Sequence, residues 1–157
     1  MILVALGSNI SGPWGNPRQT VEKAVAALNQ FPLRLIIVST LIETAPFGNK
    51  NQPHFVNAVA IIQTALAPEN LLRRLHMIER AAGRRRAKRW GPRTLDLDVI
   101  DYHGLIKLQR GQHQKALVLP HPGISERSFV LEPIAEIAPL WRHPVTNQSA
   151  KVMIHKL

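Results

Sequence analysis

Two periodicities run through this chain, and the places where one gives way to the other mark its elements. Ile2 to Leu6 is a near-continuous apolar run, the pattern of a strand buried on both faces. Gly7-Ser8-Asn9 ends it, and the 11–17 segment that follows is turn-forming, with two Gly and two Pro. Asn16 then offers an N-cap and Pro17 a favoured first helical position. Val21, Ala24, Val25 and Leu28 recur at i, i+3, i+4 and i+7, so an amphipathic helix is expected over 17–29. Past Pro32 the β-branched 33–38 stretch reads as a strand, continued at 41–43 beyond a bulge. The loop at 44–54 has eleven residues, long for a compact domain and of the kind that carries function or moves. Phe55 to Thr64 reads as a further strand, with Asn57 set among apolar neighbours. Pro68 opens a second helix whose Leu71, Leu72, Leu75 and Ile78 share a face, and Gly83 is its C′ residue.

The next strand runs to Tyr102, and His103-Gly104 turns the chain into a short strand at 105–107. Residues 109–115 are polar and aperiodic, and 117–119 is another short strand, cut off by Pro120. Ser125 to Ala138 reads as helix, with Ser125 as N-cap and an interruption at Pro133. A last short helix is expected at 150–155. The order strand–helix–strand–strand–helix–strand is the βαββαβ pattern of a ferredoxin-like α+β sandwich, here with additional short strands and a C-terminal helical segment. The helices are expected to cover one sheet face. The Gly/Pro-rich loops 9–16, 44–54 and 83–92 would gather on the other side or at one end.

Composition changes this picture in three ways. The 157 residues, 45% hydrophobic and 19% charged, suit a single globular domain over 1–157 rather than a disordered chain. No run reaches the ~20 apolar residues of a membrane span, and the apolar N-terminus lacks the basic residues of a signal peptide. The absence of cysteine excludes disulfide and thiolate chemistry and fits a cytoplasmic location. A formal net charge of +10 predicts attraction to anions. That charge is focused: nine of the 20 basic residues lie between 73 and 93, opposed there only by Glu79.

The candidate chemistry sits at the end of that basic stretch. Side chains alternate faces along a strand, so Leu95, Leu97 and Val99 point into a core. Asp96 and Asp98 point the other way, roughly 6.6 Å apart at ~3.3 Å rise per residue. Two carboxylates so placed can hold one hard divalent ion, or two about 3.5–4 Å apart. Beside so many cations they suit a metal-bound polyphosphate, the acids taking Mg2+ and the Arg and Lys taking phosphate oxygens. An alternating acidic strand is also compatible with plain half-exposure, and an Arg run with a solvated loop. What favours chemistry is their adjacency across Trp90 and the stiff Gly91-Pro92 turn.

Arg84, Arg86 and Arg93 are the phosphate-binding candidates, with Arg93 foremost because it follows that turn. No Walker P-loop and no G-x-G-x-x-G is present, so side chains must hold any nucleotide. His121, in a Pro-framed turn six residues before Arg127, reads either as a turn cap or as a phosphate contact. The other six His show no zinc-ligand spacing. Asn57 needs partners in its strand, because an unpaired buried amide costs ~1–3 kcal/mol. They are either backbone groups or the edge of a flat polar heterocycle, with Phe55 on the same face and Phe47, Trp90 and Phe129 available to stack. Two other classes remain open on the residues alone. An RNA-binding module on such a sheet lacks its aromatic K/R-G-F-G/A-F strand, and an ordinary γ-phosphoryl kinase would differ in its nucleotide product.

The stretch from Arg89 to Asp98, R-W-G-P-R-T-L-D-L-D, resembles the signature of the 6-hydroxymethyl-7,8-dihydropterin pyrophosphokinases. It is accompanied in order by A-L-G-S-N at 5–9, E-T-x-P at 43–46, Q-P-x-F-x-N at 52–57, L-P-H-P at 119–122, E-R-x-F at 126–129 and P-I-A-E-I-A-P at 133–139. The resemblance implies a monomeric ferredoxin-like enzyme of folate biosynthesis that acts on small molecules, without nucleic-acid or membrane partners. It would transfer the β,γ-diphosphate of ATP to the pterin hydroxymethyl oxygen, giving AMP, with two Mg2+ ions. By the same resemblance Asp96 and Asp98 would ligate the ions, and with Arg84 and Arg93 they would be the catalytic groups. Glu79, Arg84, Arg86, Trp90, Arg93, His121 and Arg127 would face ATP. Thr44, Ala45, Phe47, Phe55, Asn57, Trp90, Asp96 and Phe129 would face the pterin. The chain departs from the pattern in three places. Its basic loop is about one residue shorter than in some relatives, which leaves the catalytic Arg to be chosen among Arg84, Arg85 and Arg86. His76 stands where some relatives carry an amide, and SGPWGNP at 11–17 has no counterpart.

Overall fold

The structure, a computed structural model, describes residues 1–46, 48, 51–84, 93–108 and 117–157. Its elements follow the hydrophobic periods. Strand β1 (Ile2–Ser8) leads to helix α1 (Pro17–Ala27), strands β2 (Arg34–Val38), β3 (Ile42–Thr44) and β4 (Phe55–Gln63), helix α2 (Pro68–Ala81) and strand β5 (Asp96–Tyr102). After a 3-10 turn (Ile124–Glu126) come helices α3 (Ser128–Ile137) and α4 (Ala150–His155).

The strands form an antiparallel sheet in the order β2-β4-β1-β5, the ferredoxin-like arrangement, and β3 continues β2 along the same edge of β4. Helix α1 starts as expected, with Asn16 and Gln19 forming a capping box and Pro17 in its first turn. Helix α2 ends in a Schellman motif. Gly83, at φ 91°, sends its N–H to the Arg80 carbonyl, and the Arg84 N–H reaches the Glu79 carbonyl.

Both sheet faces are covered, not one. Ile2, Val4 and Leu6 of β1 pack with Leu95, Leu97 and Val99 under Val21 and Leu28 of the α1 segment and Leu71 and Leu75 of α2. Leu3, Val59 and Ile100 face the other way, under Val130, Leu131 and Ile134 of α3 and Met153 of α4. The chain beyond β5 therefore supplies the missing layer. Two further expectations are corrected. Pro133 does not interrupt α3, which runs through it; burying Val130, Leu131 and Ile134 offsets the ~3 kcal/mol a helical proline costs. Ser125 is not its N-cap either: it lies in the 3-10 turn, and extended Arg127 precedes the first helical residue. The short strands expected at 105–107 and 117–119 reduce to a single bridge, Lys107 to Leu119.

A register shift where Leu3 faces Asp101 and Val4 faces Val99 leaves Ile100 as a bulged residue of β5. Below the bulge the strand keeps strict alternation. Above it Asp101 turns toward the second core, where its carboxylate accepts from Trp141 Nε1 at 2.8 Å and from the Gly104 N–H at 2.9 Å.

Antiparallel pairing brings the end of β1 and the starts of β4 and β5 to one edge of the sheet. The described part of the 44–54 loop and Arg93 accordingly meet the first loop at that end, and Asn9 ties them together. Its side-chain amide donates to Gln52 Oε1 at 2.8 Å and to the Pro53 carbonyl at 3.0 Å. Its Oδ1 accepts from the Arg93 N–H at 2.8 Å.

Candidate active site

At this end of the sheet, the cross-strand rows build a hollow. Gly7 on β1 stands between Asn57 on β4 and Asp96 on β5, and Ala5 stands between Val59 and Asp98. The small residues at 5 and 7 leave space that larger side chains would fill. The result is a cavity of about 260 Å3 on the α3 side of the sheet, lined by Gly7, Thr44, Ala45, Phe55, Asn57, Arg93, Asp96, Asp98, His121, Arg127 and Phe129 among others.

At one end of the cavity, Asn57 donates through Nδ2 to Thr44 Oγ1. Its Oδ1 lies so close over β1 that a Cβ at Gly7 would come within 2.8 Å of it. Phe55 shares this face with Asn57, and Phe129 enters from the first turn of α3.

At the other end are the carboxylates. Asp96 takes Arg84 Nη1 on Oδ1 and Arg93 Nη1 on Oδ2, each at 2.9 Å. Asp98 has looser company: His121 Nε2 at 3.8 Å and Arg127 Nη1 at 3.9 Å from Oδ2. Burial, then the neighbouring Asp96 charge, pushes Asp98 up to about 7 against the pull of Arg127 and Arg93, with Glu79 adding to the rise. Burial, then Arg127, brings His121 down to about 4. Its Nδ1 accepts the Gly123 N–H at 3.1 Å, so the neutral ring carries its proton on Nε2, the atom nearer Asp98. His121 is thus both a turn cap and a wall of the cavity. Gly123 has a second part here, because a Cβ on it would sit 3.0 Å from Arg127 Nε.

Glu79 does not line the cavity. It lies behind β5, almost fully buried, where its Oε2 pairs with Arg84 and accepts the Leu97 N–H at 2.9 Å. Among the described residues β5 is an edge strand whose outer side has no strand partner, and the carboxylate supplies an acceptor for that N–H. Burial raises Glu79 from 4.5 to about 7, against Arg84 and the Leu97 amide. A carboxyl that holds its proton more tightly when folded contributes stability below its unfolded value, and that contribution is lost as pH rises through about 7. Glu79→Gln should therefore narrow the gap between denaturation midpoints measured at about pH 5 and pH 8. An unchanged gap would refute this.

Of the residues singled out from sequence, Thr44, Ala45, Phe55, Asn57, Arg93, Asp96, Asp98, His121, Arg127 and Phe129 converge on the one cavity, and Arg84 reaches its Asp96. Phe47, Arg86 and Trp90 lie outside the described residues, as does Arg85. Gly7, Asn9, Gln52 and Gly123 were not expected as site residues, although the first three stand inside quoted motifs and Gly123 directly follows one.

Residues 3–139 match the family described as 7,8-dihydro-6-hydroxymethylpterin-pyrophosphokinase (HPPK). A 2-amino-4-hydroxy-6-hydroxymethyldihydropteridine pyrophosphokinase of Pseudomonas aeruginosa is 43% identical over 145 residues, covering 91% of this chain and 83% of that protein. The folic acid synthesis protein fol1 of Pneumocystis carinii is 36% identical over 156 residues, but this chain spans only 20% of its length. Among solved structures, a Plasmodium falciparum HPPK-DHPS chain superposes with a TM-score of 0.75 at 14% identity, over 99% of this chain and 42% of that one, a likeness of fold.

Proposed function

Since this chain belongs to the 7,8-dihydro-6-hydroxymethylpterin-pyrophosphokinase family, we propose a division of labour among its cavity residues. The chain is a transferase acting on small molecules, with ATP as co-substrate, at the pyrophosphokinase step of folate biosynthesis. The β,γ-diphosphate of ATP passes to the hydroxymethyl oxygen of 6-hydroxymethyl-7,8-dihydropterin, and AMP leaves. One observation carries the assignment of roles: a single cavity joins an aromatic and amide end, Phe55, Phe129, Asn57 and Thr44, to an acidic and cationic end, Asp96, Asp98, Arg93 and Arg127.

The pterin ring is flat, with a donor- and acceptor-rich edge. Phe55 and Phe129 offer its faces apolar surface, Asn57 and Thr44 read its edge, and Ala45 leaves it room. Phe47 and Trp90 are carried as further pterin contacts on sequence grounds. Arg84 and Arg93 take the transferred phosphates, with Arg127 as a third cation. His121, neutral at physiological pH, contributes an N–H donor rather than a charge. Arg86 and Trp90 are assigned to the nucleotide on sequence grounds, and Glu79 acts on it through Arg84.

Two Mg2+ ions are proposed at Asp96 and Asp98, and the donor set suits them. Both are hard oxygen ligands on one face of a rigid strand, and a divalent cation offsets the desolvation and the neighbouring Asp96 charge that raise Asp98. No group of three or more potential metal-ligating side chains converges among the described residues, so phosphate oxygens and water would complete the coordination. When bound, such ions neutralise phosphoryl charge and acidify an attached hydroxyl. The chain's own part is orientation: the strand holds Asp96 and Asp98 beside the cations, and the wall at Asn57 and Phe55 holds the hydroxymethyl group in line.

Asp98 must lose its proton to bind a cation. Mg2+ binding should therefore release protons below about pH 7 and weaken as pH falls from about 8 to 6. Calorimetry in buffers of different ionisation enthalpy measures this, and a buffer-independent, pH-independent affinity would remove Asp98 from the ligand set.

The chain is further proposed to act as a monomer and as a single catalytic domain over 1–157, in the cytoplasm, without nucleic-acid or membrane partners. Coverage of both sheet faces by helices supports the exclusion of RNA, which would need a bare face carrying aromatics. Among the described residues no helix is long and apolar enough to cross a membrane. The test of function is a product assay with Mg-ATP and the pterin alcohol. Pterin-dependent AMP is expected; ADP would mean γ-phosphoryl transfer instead.

A further inference from the structure

The SGPWGNP segment at 11–17 belongs to none of the motifs quoted above, yet its fold is definite. The Gly12 and Gly15 backbones bond to each other in both directions at 3.0 Å, closing a small hairpin with Pro13 and Trp14 at its tip. Gly15, at φ 111°, makes the turn possible. The hairpin is rooted on three sides: Trp14 packs against the first core, Asn16 caps α1, and Asn9 is bonded to Arg93.

What the hairpin touches is specific. A Cβ at Gly83 would lie 2.5 Å from Pro13 Cδ, so the proline ring abuts the Schellman turn through which α2 hands the chain to Arg84. A Cβ at Gly12 would lie 2.9 Å from Thr94 Cγ2 and 3.2 Å from the Ala82 carbonyl oxygen. The hairpin is thus wedged between the end of α2 and the start of β5. From these two points Arg84 and Arg93 converge on Asp96, one on each carboxylate oxygen.

The geometry points to this hairpin as a positioning element for the triphosphate, with Pro13 and Gly12 setting the spacing at which Arg84 and Arg93 are presented. It rests on the reading of those two arginines as phosphate ligands. Rigid packing transmits the constraint, because Gly83 adopts a backbone conformation few other residues take, and Pro13 closes off its alternatives. The pterin end of the cavity hangs on β3, β4 and α3, which the hairpin does not touch in these contacts.

The test is the affinity for an ATP analogue with a methylene bridge between the α and β phosphorus atoms, with Mg2+, in Pro13→Gly. Its dissociation constant should rise at least about fivefold, while pterin affinity at saturating analogue stays within about twofold. A general loosening of the fold would weaken both together and overturn the inference. So would an unchanged analogue affinity in a protein where Arg84→Ala and Arg93→Ala weaken it. If those arginine variants bind the analogue normally, the phosphate reading itself fails. Gly83→Ala supplies a second measurement, since its new Cβ meets Pro13. Combined with Pro13→Gly, it should cost less than the product of the two single effects. Multiplying effects would mean the two positions act independently and would refute the clamp.

Discussion

Asp98→Asn is expected to lower turnover by about a thousandfold or more while leaving the protein folded and, above neutral pH, more stable than the parent. The two effects have one cause. Asp98 is half-buried beside Asp96, and desolvation together with that neighbouring charge raises its pKa to about 7, so the folded chain tolerates the protonated form better than the carboxylate. In the unfolded chain the group ionises near 3.8; its contribution to stability is complete below that value and lost as pH rises through about 7. Replacing the carboxylate with a neutral amide of the same shape removes that loss. It also removes the charge that a divalent cation and its phosphate would need. Asp96→Ala should cost turnover on the same scale, additionally release Arg93 and leave Arg84 held by Glu79 alone of its two carboxylates. Steady-state kinetics with urea denaturation at about pH 8 measure both. Near-parental turnover in either variant would rule out the proposed metal site.

Arg93→Ala should lower kcat/KM for ATP by about 10²–10³, the range found when a preorganised donor to transition-state charge is removed. Arg93 lines the cavity and is fixed at both ends, by Asn9 at its backbone and by Asp96 at its guanidinium. Arg93→Lys should recover only part of the loss, because a single ammonium keeps the charge but not the planar fork. Arg84→Ala carries a further consequence. It strips the guanidinium from buried Glu79, so stability should fall more steeply with rising pH than in the parent. If Arg93→Ala retained kcat/KM within about threefold, its assignment to the phosphates would be wrong.

Much of this architecture is local in origin and was legible for that reason. Period-2 and period-3.6 patterns are set by residues a few positions apart, so β1, α1, β4 and α2 could be placed from spacing, as could Gly83 as the C′ residue. Strict alternation in L-D-L-D was enough to put Asp96 and Asp98 on the face opposite Leu95 and Leu97. The order of elements restricted the topology to a ferredoxin-like sheet, and antiparallel pairing then brought the end of β1 and the starts of β4 and β5 to one end.

What remained hidden depends on contacts between residues far apart in the chain. Helix α3 has an apolar face in any setting, but only the return of the chain past β5 decides that it covers the second side of the sheet and brings Phe129 to the cavity. Gly7 looked like a strand terminator; its part as the gap beneath Asn57 and beside Asp96 exists only once β4 and β1 are in register. Glu79 was read as facing the nucleotide, yet the free edge of β5 draws it to the Leu97 amide. Asn9 joins segments 43 and 84 residues away, a distance at which no periodicity carries information. The sequence by itself determined which residues are apolar, acidic or cationic and which turn the chain sharply, because those are properties of side chains and near neighbours. Only the tertiary structure decided which of them share one desolvated space, because burial and pairing over long separations arise when the whole sheet and both helical layers close.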